Sequence, residues 1–316
     1  MRVTLEALAV IDAIDRRGSF AAAAEELHRV PSAITYQVHK LEQELDVRLF
    51  NRQGHRARLT AAGRELVDEG RVLLERAGEL ERRVRRVATG WEPELRLAVD
   101  ALVPWSLLWP LAAGFYADCA RREASYTRLQ LTREVLGGTW DALAEGRADL
   151  AVGASGDAPG PGYRVRPLAE VPLVFAVAPS HPLARAREPI ATRTILEHRA
   201  VVAADTSRRL PPRTMGVLDG QDTLTVPDVD AKIAAQVAGL GCGFVPVHLA
   251  RADLAAGRLV ARRVEEPVGP VRLRLGWRTE RPGRALAWWI DALQRSAVGE
   301  QLAAGAPVPR RAARAG

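Results

Sequence analysis

The sequence predicts an α/β protein in two parts, an all-helical N-terminal module followed by a larger domain in which strands and helices alternate. Three observations carry this. The chain has 316 residues, and at ~150 residues per domain two domains are expected. Residues 4–90 read almost wholly as helix. From residue 94 short apolar runs such as "ELRLAVD", "TRLQLTRE", "VPLVFAVAP" and "CGFVPV" alternate with amphipathic stretches, as in a parallel or mixed sheet covered by helices. Between the two textures "ATGWEPE" (88–94) brings Gly, Trp and Pro together, which marks the boundary.

Bulk composition narrows the class. Hydrophobic residues make up 47% of the chain, enough for buried cores and too much for wholesale disorder. A formal charge of +7 permits a polyanionic partner without demanding one. Only Cys119 and Cys242 are present, not as a CxxC pair, so neither a disulfide framework nor a zinc site is expected, and a reducing compartment fits. The opening "MRVTLEALAVIDAID" has helical apolar spacing broken by Glu6, Asp12 and Asp15. That is neither a signal peptide nor a membrane span. A soluble cytoplasmic chain without membrane, metal or cofactor is the expectation.

Within the first module, Ser19 is a good N-cap for a short helix whose apolar face is Phe20, Ala23, Ala24 and Leu27. Pro31 suits the first turn of the next helix. There Ile34, Val38, Leu41 and Leu45 share one side, while Ser32, Tyr36, His39 and Gln43, flanked by Thr35 and Lys40, share the other. An apolar stripe behind and hydrogen-bonding side chains in front is what reading a DNA major groove requires. A small helical bundle with a polar solvated face fits the same residues. The following loop weighs toward the first reading. Between Asp46 and Glu65 there is no acid, yet Arg48, Arg52, Arg56, Arg58 and Arg64 occur, as phosphate contacts need. "RQGHR" reads as the turn of a small wing. The candidate DNA contacts are Ser19, Ser32, Thr35, Tyr36, Gln37, His39, Lys40, Arg52 and Arg56.

A long helix opened by Thr60 comes next. Leu66, Leu73, Leu80 and Val87 repeat every seventh residue, with Gly63, Gly70, Ala77 and Val84 interleaved, which makes a heptad seam. Glycine costs ~1 kcal/mol against alanine inside a helix, so Gly63 and Gly70 point to a close approach of another backbone. The seam predicts a dimer helix over 60–90 built on Leu66, Gly70, Leu73, Ala77, Leu80 and Val84. Packing on its own domain, with Val67 and Leu74 as a second edge, is the alternative, and both can hold.

The pattern "GSFAAAAEELHRVPSAITYQVHKLEQELDVRLFNR…LTAAG" resembles the winged helix-turn-helix of LysR-type transcriptional regulators, and the likeness runs the full length. Within that family "LEALAVIDAIDRRGSFAAAAEELHRVPSAITY" and "GRADLAV" resemble the YhaJ-type branch. Val30 and Pro31 stand where the family often has polar residues, and Thr35 and Tyr36 where it often has Ser and Arg. These departures bear on base preference and leave the fold untouched. The resemblance implies a winged helix-turn-helix (1–59), a linker and dimerisation helix (60–90) and a periplasmic-binding-protein-like effector domain (91–300), while the end of the chain, "GAPVPRRAARAG", has no apolar periodicity and predicts a disordered tail (301–316). It also implies dimers that assemble into tetramers, and RNA polymerase as a further partner. The effector domain would divide into subdomain I (about 91–164 and 268–300) and subdomain II (about 165–267), with crossings near 162–168 and 265–271.

Residue chemistry in the second half gives an enzyme little support. There is no GxSxG elbow and no P-loop, His181 and His198 are isolated in sequence, and "GLGCGF" (239–244) runs from helix to strand, the reverse of a dinucleotide turn. In open α/β sheets ligands sit beyond the carboxyl ends of strands. In the segments expected there, the resemblance implies effector contacts after the first and second strands and in the second subdomain, matched here by Asp100, Leu102, Glu134, Asp205 and Pro227, and the same loops add Trp105, Trp140, Ser155 and Thr206 as candidate effector contacts. Asp100, Glu134 and Asp205 would favour a ligand with a donor or cationic group. Alternatively those acids cap helices or pair with Arg133 and Arg208. The function expected is sequence-specific binding of double-stranded DNA controlled by a small molecule. The alternative is a second domain that serves only oligomerisation.

Overall fold

Thr4 starts helix α1 (Leu5–Arg17): its Oγ1 accepts the Ala7 N–H at 3.1 Å, and the helix ends at Gly18 with φ 71°. The computed structural model describes residues 3–51, 57–121, 127–278 and 281–304. Ser19 caps α2 (Phe20–Glu26), its Oγ accepting the Ala22 N–H at 3.1 Å, and α3 (Pro31–Leu45) carries Pro31 in its first turn. Ile11 and Ile14 of α1, Ala23 and Ala24 of α2, and Ile34, Val38 and Leu41 of α3 bury into one core. Strands β1 (Phe50–Asn51) and β2 (Arg58–Leu59) form an antiparallel pair, and Phe50 meets Phe20 edge-on at 5.3 Å. Arg52, His55 and Arg56, expected at the tip of this wing, lie outside the described residues.

One buried residue of α3 is charged. Glu42 follows Leu41 on the inward stripe and accepts the Leu49 N–H at 2.7 Å and the Phe50 N–H at 3.3 Å, while Arg48 donates to it at 3.3 Å. Those backbone donors lie where the chain enters β1, so one carboxylate ties the helix to the wing. Charge-assisted bonds of this kind are about twice as strong as neutral ones.

Thr60 Oγ1 accepts the Gly63 N–H at 3.0 Å at the start of α4 (Ala61–Thr89). The first two turns of α4 correct the heptad expectation. Gly63 and Gly70 do meet a close backbone or side chain, but it belongs to their own chain. A Cβ at Gly63 would stand 2.2 Å from the Leu49 carbonyl oxygen, and one at Gly70 would stand 2.8 Å from Leu8 Cδ2. Leu66 also packs on the N-terminal core. Gly70 and Leu66 therefore serve the fold of the protomer, whereas Leu73, Leu80, Val84 and Val87 are exposed. The chain divides into compact units at Arg85/Arg86, inside α4.

In the second unit β3 (Glu94–Asp100) runs to α5 (Trp105–Arg121), β4 (Arg128–Glu134), α6 (Gly138–Ala144), β5 (Leu150–Ser155) and β6 (Tyr163–Val171). The chain then crosses at Pro172 into β7 (Leu173–Val177), α7 (Thr192–Leu196), β8 (Ala200–Ala203), β9 (Thr223–Val226), α8 (Val229–Val237), β10 (Gly243–Pro246), α9 (Val247–Ala255) and β11 (Val260–Arg262). It returns as β12 (Val271–Arg278), α10 (Arg284–Arg295) and α11 (Val298–Ala303). The first sheet has the order β4-β3-β5-β12-β6, with β3 parallel to β4 and β5, and β12 antiparallel to β5 and β6. The second has β7 between β10 and β11, both antiparallel, and the parallel pair β8-β9 joins it through an Ala200–Cys242 bridge.

Two boundaries differ from those expected. β6 pairs with β12 along its length, from Tyr163–Arg278 to Val171–Val271, so residues 165–171 belong to the first subdomain. Pro167 disguised the strand. An edge strand tolerates proline at a bulge, and the ladder shifts register between Leu273 and Arg274, opposite Ala169 and Pro167. At the other end residues 301–303 are helical, with Leu302 wholly buried in the first subdomain's core, so the expected tail begins too early. Residues 305–316 lie outside the described residues.

Candidate nucleic-acid interface and ligand cleft

On α3 the burial pattern separates the two faces. Ile34, Val38 and Leu41 are buried, whereas Ser32, Thr35, Tyr36, His39 and Lys40 are exposed, Tyr36 at 70%. Those five fall at steps of three, one, three and one and share one stripe. From Ser32 to Lys40 the stripe is about 12 Å long at 1.5 Å per residue, enough to meet the edges of three to four base pairs spaced about 3.4 Å apart. Thr35 Oγ1 donates to the Pro31 carbonyl at 3.0 Å, leaving its methyl outward-facing on an exposed residue. Gln37 sits off the stripe, half-buried, and accepts from Arg29 at 3.1 Å. Ser19 Oγ is engaged at the α2 cap. Exposed Val30, the unpaired N-cap of α3, adds an apolar surface at the entrance of the helix.

The basic loop is partly internal. Arg48 is paired with Glu42 and Arg64 with Asp15, while Arg58 on β2 is exposed. Arg71 of α4 bridges Asp12 and Asp15 of α1 at 2.6 and 3.0 Å. Burial opposes its charge, yet these bonds hold its pKa above the ordinary arginine value. α1 and α4 are thereby locked together behind α3.

In the second unit a cavity of about 60 Å³ lies between the two subdomains. Asp100, Leu102 and Ser155 line it, from the ends of β3 and β5. The remaining wall includes Leu136, Leu173, Met215, Lys232 and Phe244, none of which the sequence singled out. Burial pushes the Asp100 carboxyl up to about 7, against the Leu102 N–H that it accepts at 2.8 Å and the nearby charges of Arg133 and Arg213. Burial pushes the Lys232 ammonium down to about 8.

Six expected contacts lie elsewhere, each for a visible reason. Glu134 is paired with Arg147 at 2.9 Å and accepts from Thr206 Oγ1 at 2.5 Å; the same Thr206 oxygen accepts the Val135 N–H at 3.0 Å. Asp205 accepts the backbone N–H of Ser207 and Arg213, both at 2.7 Å, and of Gly137 at 3.3 Å. Glu134 is thus paired with Arg147, not with Arg133 or Arg208, and Asp205 is taken up by backbone N–H groups. Trp140 is core: its Nε1 donates to the Ser155 carbonyl at 3.1 Å, and a Cβ at Gly276 would meet its ring at 2.4 Å. Trp105 stacks on Trp109 at 5.5 Å under the Arg133 guanidinium at 4.5 Å. Pro227 is exposed between β9 and the Asp228 cap of α8.

Together these bonds fasten the segment 205–213 of the second subdomain onto the first. Asp141, wholly buried, accepts the Arg209 and Leu210 N–H groups at 2.9 and 2.8 Å and Arg147 at 2.9 Å. Among the described residues no group of three or more His, Cys, Asp or Glu side chains is placed to hold a metal ion. Among the same residues no helix is long and apolar enough to cross a membrane.

A helix-turn-helix with a two-stranded wing, followed by a cleft between two α/β subdomains, defines a DNA-binding regulator. Residues 5–64 match the family model described as "Bacterial regulatory helix-turn-helix protein, lysR family", and residues 88–298 match the "LysR substrate binding domain". The chain belongs to the LysR family of bacterial transcriptional regulators, which are not enzymes. It is 40% identical over 294 residues to the HTH-type transcriptional regulator YeeY of Escherichia coli K12, covering 93% of this chain and 94% of that protein. With the probable HTH-type transcriptional regulator YhaJ of the same strain it shares 42% identity over 296 residues, 91% and 95% of the two chains. Among solved structures, a probable transcriptional regulator from Pseudomonas aeruginosa is 26% identical, with a TM-score of 0.56 over 93% of this chain and 97% of that one.

Proposed function

We propose that this regulator reads its operator with the outward stripe of α3, chiefly Ser32, Thr35, Tyr36, His39 and Lys40. Ser19, Gln37, Arg52 and Arg56 contribute to positioning on the phosphates. The observation that carries this reading is the exposure of that stripe above a fully buried one on the same helix. The protein acts as a dimer joined along α4. Leu73, Ala77, Leu80, Val84 and Val87 alternate at steps of four and three, and the four large ones stand exposed on the protomer, the pattern of a coiled-coil seam awaiting its partner. The seam begins at Leu73, since Leu66 and Gly70 are used within the chain. Pairing of two such dimers, contact with RNA polymerase and residence in the cytoplasm accord with the family. The cleft beside Asp100, Leu102 and Ser155 takes a small molecule whose unequal affinity for the two arrangements of the subdomains changes operator binding.

Leu80→Arg tests the seam. Leu80 is exposed in the protomer, so the variant folds, but in the dimer it buries an unpaired charge. Sedimentation is expected to show half the parent's mass, and affinity for an operator located by footprinting the protein on the DNA upstream of its own gene is expected to fall by about 100-fold or more as bivalency is lost. An assembly of unchanged mass would place the dimer contact elsewhere.

A further inference from the structure

α8 turns two polar side chains toward the protein interior. Val229, Lys232, Ile233 and Gln236 occupy its buried face, where spacing alone would call for four apolar residues. Lys232 is 8% exposed and lines the cleft cavity, and among the described residues no carboxylate pairs with its ammonium. Gln236 is wholly buried, and neither its Oε1 nor its Nε2 has a hydrogen-bond partner. The two head groups converge beside Gly243, whose φ is 150°. A Cβ there would stand 3.1 Å from Gln236 Nε2 and 3.6 Å from Lys232 Nζ. Among the described residues Lys232 is the one cation on the cavity wall, and Leu102, Leu136, Leu173 and Phe244 supply apolar surface.

Buried charges in native proteins are almost always paired, and a buried ammonium on a cavity wall without a carboxylate beside it marks a place for one. The missing partner here has to be an acceptor with negative charge, because Lys232 offers donors only. We propose that Lys232 holds the carboxylate of a small organic monoacid, a proposal that rests on the cleft being the ligand site. The ligand carries a single negative charge because Asp100, among the described residues the one acid on the wall, disfavours a second. It is small because the cavity of about 60 Å³ is well below the roughly 150 Å³ that holds benzene. Its short apolar chain lies against Leu173 and Phe244.

The test is thermal unfolding of the full-length protein, parent and Lys232→Met, with sodium propionate, propylammonium chloride, 1-propanol or sodium chloride at matched ionic strength. Methionine keeps the stem and removes the charge, so the variant folds. Propionate alone is expected to raise the Tm of the parent's effector domain, by about 3 °C at tenfold Kd, and to leave Lys232→Met unmoved. An equal propionate response in Lys232→Met would overturn the assignment. A shift caused by propylammonium or propanol in place of propionate would also overturn it while leaving the cleft as the ligand site. No shift with any compound would overturn it and count against the cleft reading as well.

Discussion

Arg147→Met is expected to destabilise the effector domain by about 3–5 kcal/mol, the usual consequence of removing one partner from a buried charge network. The guanidinium reaches Glu145 at 2.6 Å, Glu134 at 2.9 Å and Asp141 at 2.9 Å. Burial opposes its charge, but the three carboxylates outweigh it and hold its pKa above the ordinary value. Without it Asp141 keeps the Arg209 and Leu210 N–H groups, whereas Glu134 keeps only Thr206. Because these acids also receive the segment 205–213, the variant is expected to loosen the closure of the two subdomains along with the fold. Urea denaturation monitored by tryptophan fluorescence reads the change. A loss below about 1 kcal/mol would match an exposed pair and would contradict the network's role.

Lys232→Met is expected to act in the opposite direction, stabilising the ligand-free protein by on the order of 3 kcal/mol at pH 7. The folded-state pKa of Lys232 is about 8 against an ordinary 10.5, with burial as the cause. Below pH 8 the lysine is charged in both states, and only the folded one is desolvated, so the whole penalty is present. Between pH 8 and 10.5 the folded protein releases the proton while the unfolded chain retains it, and stability rises with pH. The advantage of the variant therefore shrinks across that window and vanishes above it. Cys242, pushed up to about 11 by burial, titrates in both proteins, and the comparison removes most of its contribution. Denaturation midpoints at pH 7, 9 and 10.5 check this. A difference that stays constant with pH would show that Lys232 is not charged in the cleft at neutral pH.

The helical module was legible because its information is local. Thr60, Ser19 and Pro31 open helices where their chemistry predicts, and Ile34, Val38 and Leu41 bury at the spacing that announces them. What escaped notice is equally physical. Glu42, Lys232 and Gln236 each break an apolar stripe at a position that faces inward, and that break was the signal available in the sequence. Arg147 gave none, since Glu134 at the end of β4 is brought to it, to Asp141 of α6 and to Glu145 at the C-cap of α6 only by the fold. Glu134 and Asp205 do stand near the ends of strands, as expected of ligand contacts, but the 205–213 segment supplies donors that consume them. Gly63 and Gly70 report a close approach correctly and leave open whose chain approaches; Leu49 and Leu8 answer that only in the folded protomer.

Operator reading by α3 is tested most directly by fluorescence anisotropy with two duplexes of equal length, the footprinted site and a scrambled sequence. Tyr36→Ala removes one outward side chain from a helix whose buried face is untouched, and Arg52→Ala removes one wing charge. A direct base contact contributes about 1–3 kcal/mol of discrimination. Tyr36→Ala is therefore predicted to lose about 5- to 150-fold in affinity for the specific site and almost nothing for the scrambled one, while Arg52→Ala weakens both alike and lowers the salt dependence. Equal losses on both duplexes for Tyr36→Ala would contradict the assignment of α3 as the helix that reads bases.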